Sequence, residues 1–99
     1  MRIIAIRMLR EFWREPTRGD AEQALKAWFS FTSAADWKTP ADVKLDYRNA
    51  SILKNRRVVF NIAGNKYRLV VSINYPYRVV YLRFVGTHAQ YDRIDTETI

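Results

Sequence analysis

Arg57-Val58-Val59-Phe60-Asn61-Ile62-Ala63-Gly64-Asn65-Lys66-Tyr67-Arg68-Leu69-Val70-Val71-Ser72-Ile73-Asn74 is the stretch that decides the fold of this 99-residue chain. Read with a period of two, it yields two strands, each with one apolar face. In Arg57–Ile62 the core set is Val58, Phe60 and Ile62, leaving Arg57, Val59 and Asn61 on the other side. In Lys66–Asn74 the inward set is Tyr67, Leu69, Val71 and Ile73, and Lys66, Arg68, Val70, Ser72 and Asn74 face outward. Between them, Gly64 and Asn65 accept the positive φ of a short hairpin connection. Tyr75-Pro76-Tyr77 turns the chain again into a third strand, Arg78–Val85. There Val80, Leu82 and Phe84 are expected to point one way, with Val79, Tyr81, Arg83 and Val85 the other. An antiparallel meander with one face under helices and one face open follows.

Upstream the period becomes helical. Ala5, Met8, Leu9, Phe12 and Trp13 form one apolar stripe that Pro16 ends. Asp20 is placed to cap a second helix with Gln23 at its N3 position, and Ala21, Ala24, Leu25, Trp28 and Phe29 form its buried side. Thr39-Pro40 reads as a cap with proline at N1, opening a short helix to about Lys44. Tyr47–Lys54 is loop-like, and Arg2–Ile6 is a short strand or the start of the first helix. The fold class is therefore α+β: a small antiparallel sheet, a three-strand C-terminal meander with room for a short N-terminal strand, and two main helices on one face.

At 99 residues and 48% hydrophobic composition, residues 1–99 are expected to form one domain. The absence of cysteine excludes a disulfide framework, a thiolate metal site and a cysteine nucleophile. Arg2, Arg7, Arg10 and Glu11 interrupt the N-terminal apolar run, so neither a signal peptide nor a membrane span is expected, and a cytoplasmic setting fits. Charge is unevenly spread. The net charge is +7, and between Tyr47 and Tyr91 eight basic side chains stand against no carboxylate. A polyanion would be drawn there, although a solvated basic face that serves solubility is the plainer reading.

The strand registers place Arg57, Asn61, Lys66, Arg68, Tyr81 and Arg83 on the uncovered face, mixing cations with hydrogen-bonding and aromatic groups as an RNA surface would. Arg57 and Arg83 also fit as solvated strand charges, whereas Arg68 sits mid-strand in the central element. His88, the single histidine, follows the third strand, where an imidazole beside the basic face is placed to move a proton. A lone histidine is more often structural. Tyr91 falls on the same side as His88 if the segment turns helically, and a half-buried aromatic capping the sheet edge is its alternative. The basic region lacks the carboxylates of a Mg²⁺ site and carries no Gly-rich phosphate loop, so no cofactor is expected.

Val59–Val70, followed by Val85-Gly86-Thr87-His88-Ala89-Gln90-Tyr91-Asp92, closely resembles the HigB-type toxins of the RelE-like superfamily. Trp28, Phe29 and the segment Asp36–Lys44 resemble them as well. The resemblance implies a bacterial type II toxin that cleaves mRNA in the ribosomal A site, restrained by a HigA-type helix-turn-helix antitoxin, with a RelE-like fold. It implies further that Arg68 matches the central-strand arginine that contacts the scissile phosphate, and that His88 matches the basic or histidine residue supplying proton transfer or charge. Tyr91 matches the C-terminal aromatic. Some relatives carry lysines where this chain has Val59 and Asn61, so their proton-transfer machinery does not transfer, and Lys66 is the substitute on offer.

The expected chemistry is metal-independent attack of the 2′-hydroxyl on the adjacent phosphate. Arg68 and Lys66 would stabilise charge, His88 would transfer a proton, Tyr91 would stack on a base or orient the 2′-hydroxyl, and Arg57, Asn61, Tyr81 and Arg83 would hold the RNA. Two alternatives stay open: a non-catalytic RNA- or ribosome-binding protein using the same basic face, and an inactive module that only docks an antitoxin.

Overall fold

The computed structural model describes residues 1–99 and contains the expected meander: β3 (Arg57–Ile62), β4 (Tyr67–Asn74) and β5 (Val79–Thr87), each antiparallel to the next. Two short strands complete a five-stranded sheet. β1 (Arg2–Ile4) lies beside β5, β2 (Ser51–Ile52) lies beside β3, and the order is β1-β5-β4-β3-β2. The sheet is therefore mixed rather than wholly antiparallel, because β1 pairs with β5 in parallel. Parallel neighbours need a long connection, and here nearly the whole chain lies between them. The loop expected over Tyr47–Lys54 contains the two residues of β2. The helices are α1 (Arg7–Trp13), α2 (Gly19–Ala34), α3 (Pro40–Asp46) and α4 (His88–Tyr91).

Local chemistry explains most helix boundaries. Thr39 and Asp42 form a reciprocal capping box, and Pro40 occupies the first turn of α3. The start of α2 departs from the expected Asp20 cap. Pro16 opens a 3₁₀ turn over Pro16–Arg18, helical winding continues into Gly19, and Asp20 lies already inside the first turn. Its carboxylate is thereby released for long-range contacts.

α1 and α2 pack on one face of the sheet around a core that includes Leu9, Leu25, Trp28, Trp37, Phe60, Leu69, Val71 and Val80. Trp37 stacks on Phe60 at 6.0 Å, and its indole N–H donates to Asp46 Oδ2. On β3 and β4 the inward set is as expected: Val58, Phe60, Ile62, Tyr67, Leu69, Val71 and Ile73. On β5 it is not. A register shift at Val70/Val71 pairs Val70 with Phe84 and Val71 with Leu82, so Arg83 bulges out of the ladder. Beyond it the faces exchange: Val85 packs against the helix-side core and Phe84 turns to the opposite face. One extra residue inverts every side chain after it.

That opposite face is not fully open. Val59, Val70 and Ser72 are buried, although the first two stand outside the helix-side cluster. α4 packs on the end of β5 and β4. The segment after α4 is fastened where β3 begins, with Arg57 Nη2 donating to the Ile99 carbonyl at 2.7 Å and Asn55 Nδ2 to that of Glu97 at 3.2 Å. Residues 92–99 thus run from the end of β5 back to the start of β3, and Val59 and Val70 are buried apart from the helix-side cluster. No helix is long and apolar enough to cross a membrane.

Candidate active site

Arg68 stands on the sheet face away from the helices, opposite Asn61 on one side and Gly86 on the other. Its guanidinium donates through Nη1 to the carbonyls of Asn65 (2.8 Å) and Tyr67 (3.4 Å), and pairs with no carboxylate. Neutral carbonyl partners hold the side chain without cancelling its charge. The guanidinium carbon lies 6.0 Å from the centre of the Tyr91 ring, which limits where the group can swing.

His88 and Tyr91 arrive on α4, two and five residues past Gly86. A helix of four residues has little stability of its own, and a capping box holds it. Thr87 Oγ1 accepts from the Gln90 backbone N–H at 3.2 Å, and Gln90 Oε1 accepts from that of Thr87 at 2.9 Å. The segment turns helically, so His88 and Tyr91 are three residues apart on one side, as the spacing suggested. His88 Nδ1 lies 3.1 Å from Asp92 Oδ2, and Nε2 has no protein partner. A carboxylate at Nδ1 favours the tautomer with its proton there and its lone pair on Nε2. Asp92 was not singled out as a functional residue by sequence reasoning; its i,i+4 spacing from His88 was the available signal.

Arg68, Asn61 and Tyr91 therefore stand together at one end of the sheet, where β5 delivers His88 at the start of α4. Lys66 does not join them. Its ammonium lies 2.6 Å from Asp20 Oδ2, on the helix side, and Tyr67 donates its hydroxyl to Asp20 Oδ1 at 2.7 Å. These two hydrogen bonds, from Lys66 first, hold the Asp20 carboxyl below the ordinary aspartate range; the same carboxylate raises Lys66 and the Tyr67 hydroxyl. Arg57, Tyr81 and Arg83 lie apart from Arg68. Arg57 and Tyr81 flank Ser72, four residues along β4, which at strand spacing is about 13 Å away. Arg57 is half-buried, with one guanidinium nitrogen on Asn55 O and the other on Ile99 O, so it clamps residues 92–99 rather than facing solvent. Arg83, on the bulge, lies 5.7 Å from the Tyr81 ring. No three His, Asp or Glu side chains converge to hold a metal ion.

The family model described as HigB_toxin, RelE-like toxic component of a toxin-antitoxin system, matches residues 21–94, a span that includes Arg68, His88, Tyr91 and Asp92. The chain is also similar to the mRNA interferase HigB of Escherichia coli O6:H1, 25% identical over 73 residues that cover 72% of this chain and 71% of that one.

Proposed function

The chain belongs to the HigB toxin family, RelE-like toxic components of toxin–antitoxin systems, and on that premise we propose that it is an endoribonuclease that cuts mRNA. Its substrate is message on the ribosome in the cytoplasm, and its restraint is a HigA-type helix-turn-helix antitoxin. The observation that carries this reading is the state of Arg68: a cation without a carboxylate partner, set against Tyr91 and across from Gly86, two residues before His88.

The chemistry needs no bound ion. The 2′-hydroxyl oxygen attacks the adjacent phosphorus and gives up its proton, the bond to the 5′-oxygen breaks, and a proton reaches that oxygen. The products are a 2′,3′-cyclic phosphate and a 5′-hydroxyl. Arg68 stabilises the charge that builds on the phosphorane oxygens. His88 moves the proton through Nε2, with Asp92 holding Nδ1–H, and Tyr91 stacks on the flanking base. Lys66, neutralised by Asp20, takes no step; Asn61 lines the site, and Tyr81 and Arg83 contact the RNA backbone beyond it.

Inducible expression with mapping of mRNA 5′ ends tests this. The parent should generate new 5′ ends in translated messages. Arg68→Ala should lower the cleavage rate on the order of 10²-fold or more, with RNA binding less affected. Equal toxicity of Arg68→Ala and the parent at matched expression would overturn the assignment. Ribosome binding without any new 5′ ends would favour the non-catalytic alternative.

A further inference from the structure

Beside the Arg68 cluster, along the edge of β3 beyond the end of β2, runs a groove of about 440 Å³, within the range of small-ligand sites. Tyr47, Arg48, Asn49, Phe60, Asn61 and Asn65 are among its walls. Backbone groups are among its polar walls. The Leu53 N–H donates to Arg57 O at 2.9 Å and Ser51 pairs with Val59, so alternate residues of β3 turn their peptide groups toward β2. Asn61 is next in that series, and β2 has ended by then. Its N–H and C=O therefore face the groove side by side, without a strand to bond them. An adjacent donor and acceptor on a rigid strand complement the adjacent acceptor and donor on a nucleobase edge. Tyr47, its ring packed edge-on 5.0 Å from that of the buried Phe60, supplies an aromatic wall.

The groove also connects with the catalytic cluster. Asn61 is the cross-strand partner of Arg68, and the Asn65 carbonyl accepts from Arg68 Nη1 at 2.8 Å, so two walls of the groove touch the residue that would hold the phosphate. The one carboxylate on the rim, Asp46, is engaged by the Trp37 indole N–H. The exposed Arg48 adds a cation.

We propose that this groove takes one unstacked nucleobase of the RNA, next to the phosphate on Arg68, and sets base preference at the cut. The inference rests on the nuclease reading for its phosphate, and the Asn61 peptide group is the reader. An extended peptide added to the same edge is the competing occupant. No feature of this edge selects such a peptide, whereas the shared walls with Arg68 favour RNA.

Two measurements test it. In the first, amide resonances of the ¹⁵N-labelled full chain are followed while the four 5′-mononucleotides, and separately ribose 5-phosphate, are added. Asn61 and Asn49 should shift with mononucleotides and stay in place with ribose 5-phosphate; no base-dependent shift at Asn61 overturns the proposal. In the second, Asn49→Trp fills the groove from an exposed loop position, checked by its melting curve against the parent. The ratio of cleavage at the preferred base to cleavage at the other bases should fall about tenfold. Retained preference with lost antitoxin co-purification would give the edge to a peptide and overturn the proposal. A parent that cuts no RNA would remove the nuclease reading alone, since the resonance shifts report on the groove without cleavage.

Discussion

Gly86→Ala perturbs the junction between sheet and site with a single methyl group. Gly86 lies opposite Arg68, and its φ is not positive, so alanine meets no backbone strain there. The cost is steric. A Cβ at Gly86 would sit 2.5 Å and 2.9 Å from Phe84 Cζ and Cε2, and 2.7 Å from Gln90 Oε1. Ordinary carbon contacts begin near 3.5 Å, so the ring must retreat by about 1 Å. Phe84 is half-buried on the face to which the β5 bulge has turned it, so its ring moves only by leaving the rotamer it holds there. Overpacking of this kind costs about 1–3 kcal/mol, and displacing Gln90 breaks half of the α4 capping box, worth about 1 kcal/mol more. At about 4–8 °C per kcal/mol for a domain near this size, the midpoint of thermal unfolding should fall by about 8–32 °C. Circular dichroism melts of the parent, Gly86→Ala, Phe84→Leu and the double variant measure it. The double variant should recover stability relative to Gly86→Ala, because the smaller side chain vacates the contested space. Cleavage by Gly86→Ala should drop even where the chain is fully folded, since α4 carries His88 and Tyr91. A Gly86→Ala midpoint within 2 °C or so of the parent, or simple additivity of the two substitutions, would refute the steric account.

Arg57→Met keeps the aliphatic bulk and removes the bonds to Asn55 O and Ile99 O, so stability should fall by about 1–3 kcal/mol and amides of residues 92–99 should lose hydrogen-exchange protection; unchanged protection counts against the clamp. Asp20→Asn should show a pH-dependent deficit. Because the folded carboxyl titrates below the usual 3.8, the parent's advantage is fully present above 3.8 and is lost as pH falls through the lowered value, where the unfolded chain has already taken up its proton. Urea melts from pH 7 to pH 2 check this, and a deficit that widens on acidification would contradict it. Asp92→Asn should keep the helical turn but put a neutral amide where the carboxylate orients His88 Nδ1–H, lowering the cleavage rate on the order of tenfold or more with the melting curve unmoved; an unchanged rate would free His88 of that partner.

Much of this molecule was legible in one dimension because its causes are local. Alternation over Val58–Ile62 and Tyr67–Ile73 is a property of neighbouring residues, and so are the left-handed turn at Gly64-Asn65 and the Thr39-Pro40 helix start. The run of eight cations without a carboxylate is likewise a feature of the chain itself, as is the Arg68–His88–Tyr91 spacing that resembles the family.

What tertiary structure decided are the features that depend on partners far along the chain. A bulge changes parity, and no local pattern near Arg83 marks it; the ladder with β4 does, and with it the exchange of Phe84 and Val85. Asp20 looked like a cap because its short-range options were visible, while Lys66 and Tyr67, more than forty residues away, compete for its carboxylate only once the helix lies against the hairpin. The same step holds Lys66 on the helix side, away from Arg68. Arg57 became a clamp because residues 92–99 fold back to the start of β3 and bring the Ile99 carbonyl to its guanidinium. Strand period and turn chemistry are short-range and can be written in the chain, whereas a charge's partner is chosen by three-dimensional proximity, which only the folded molecule creates.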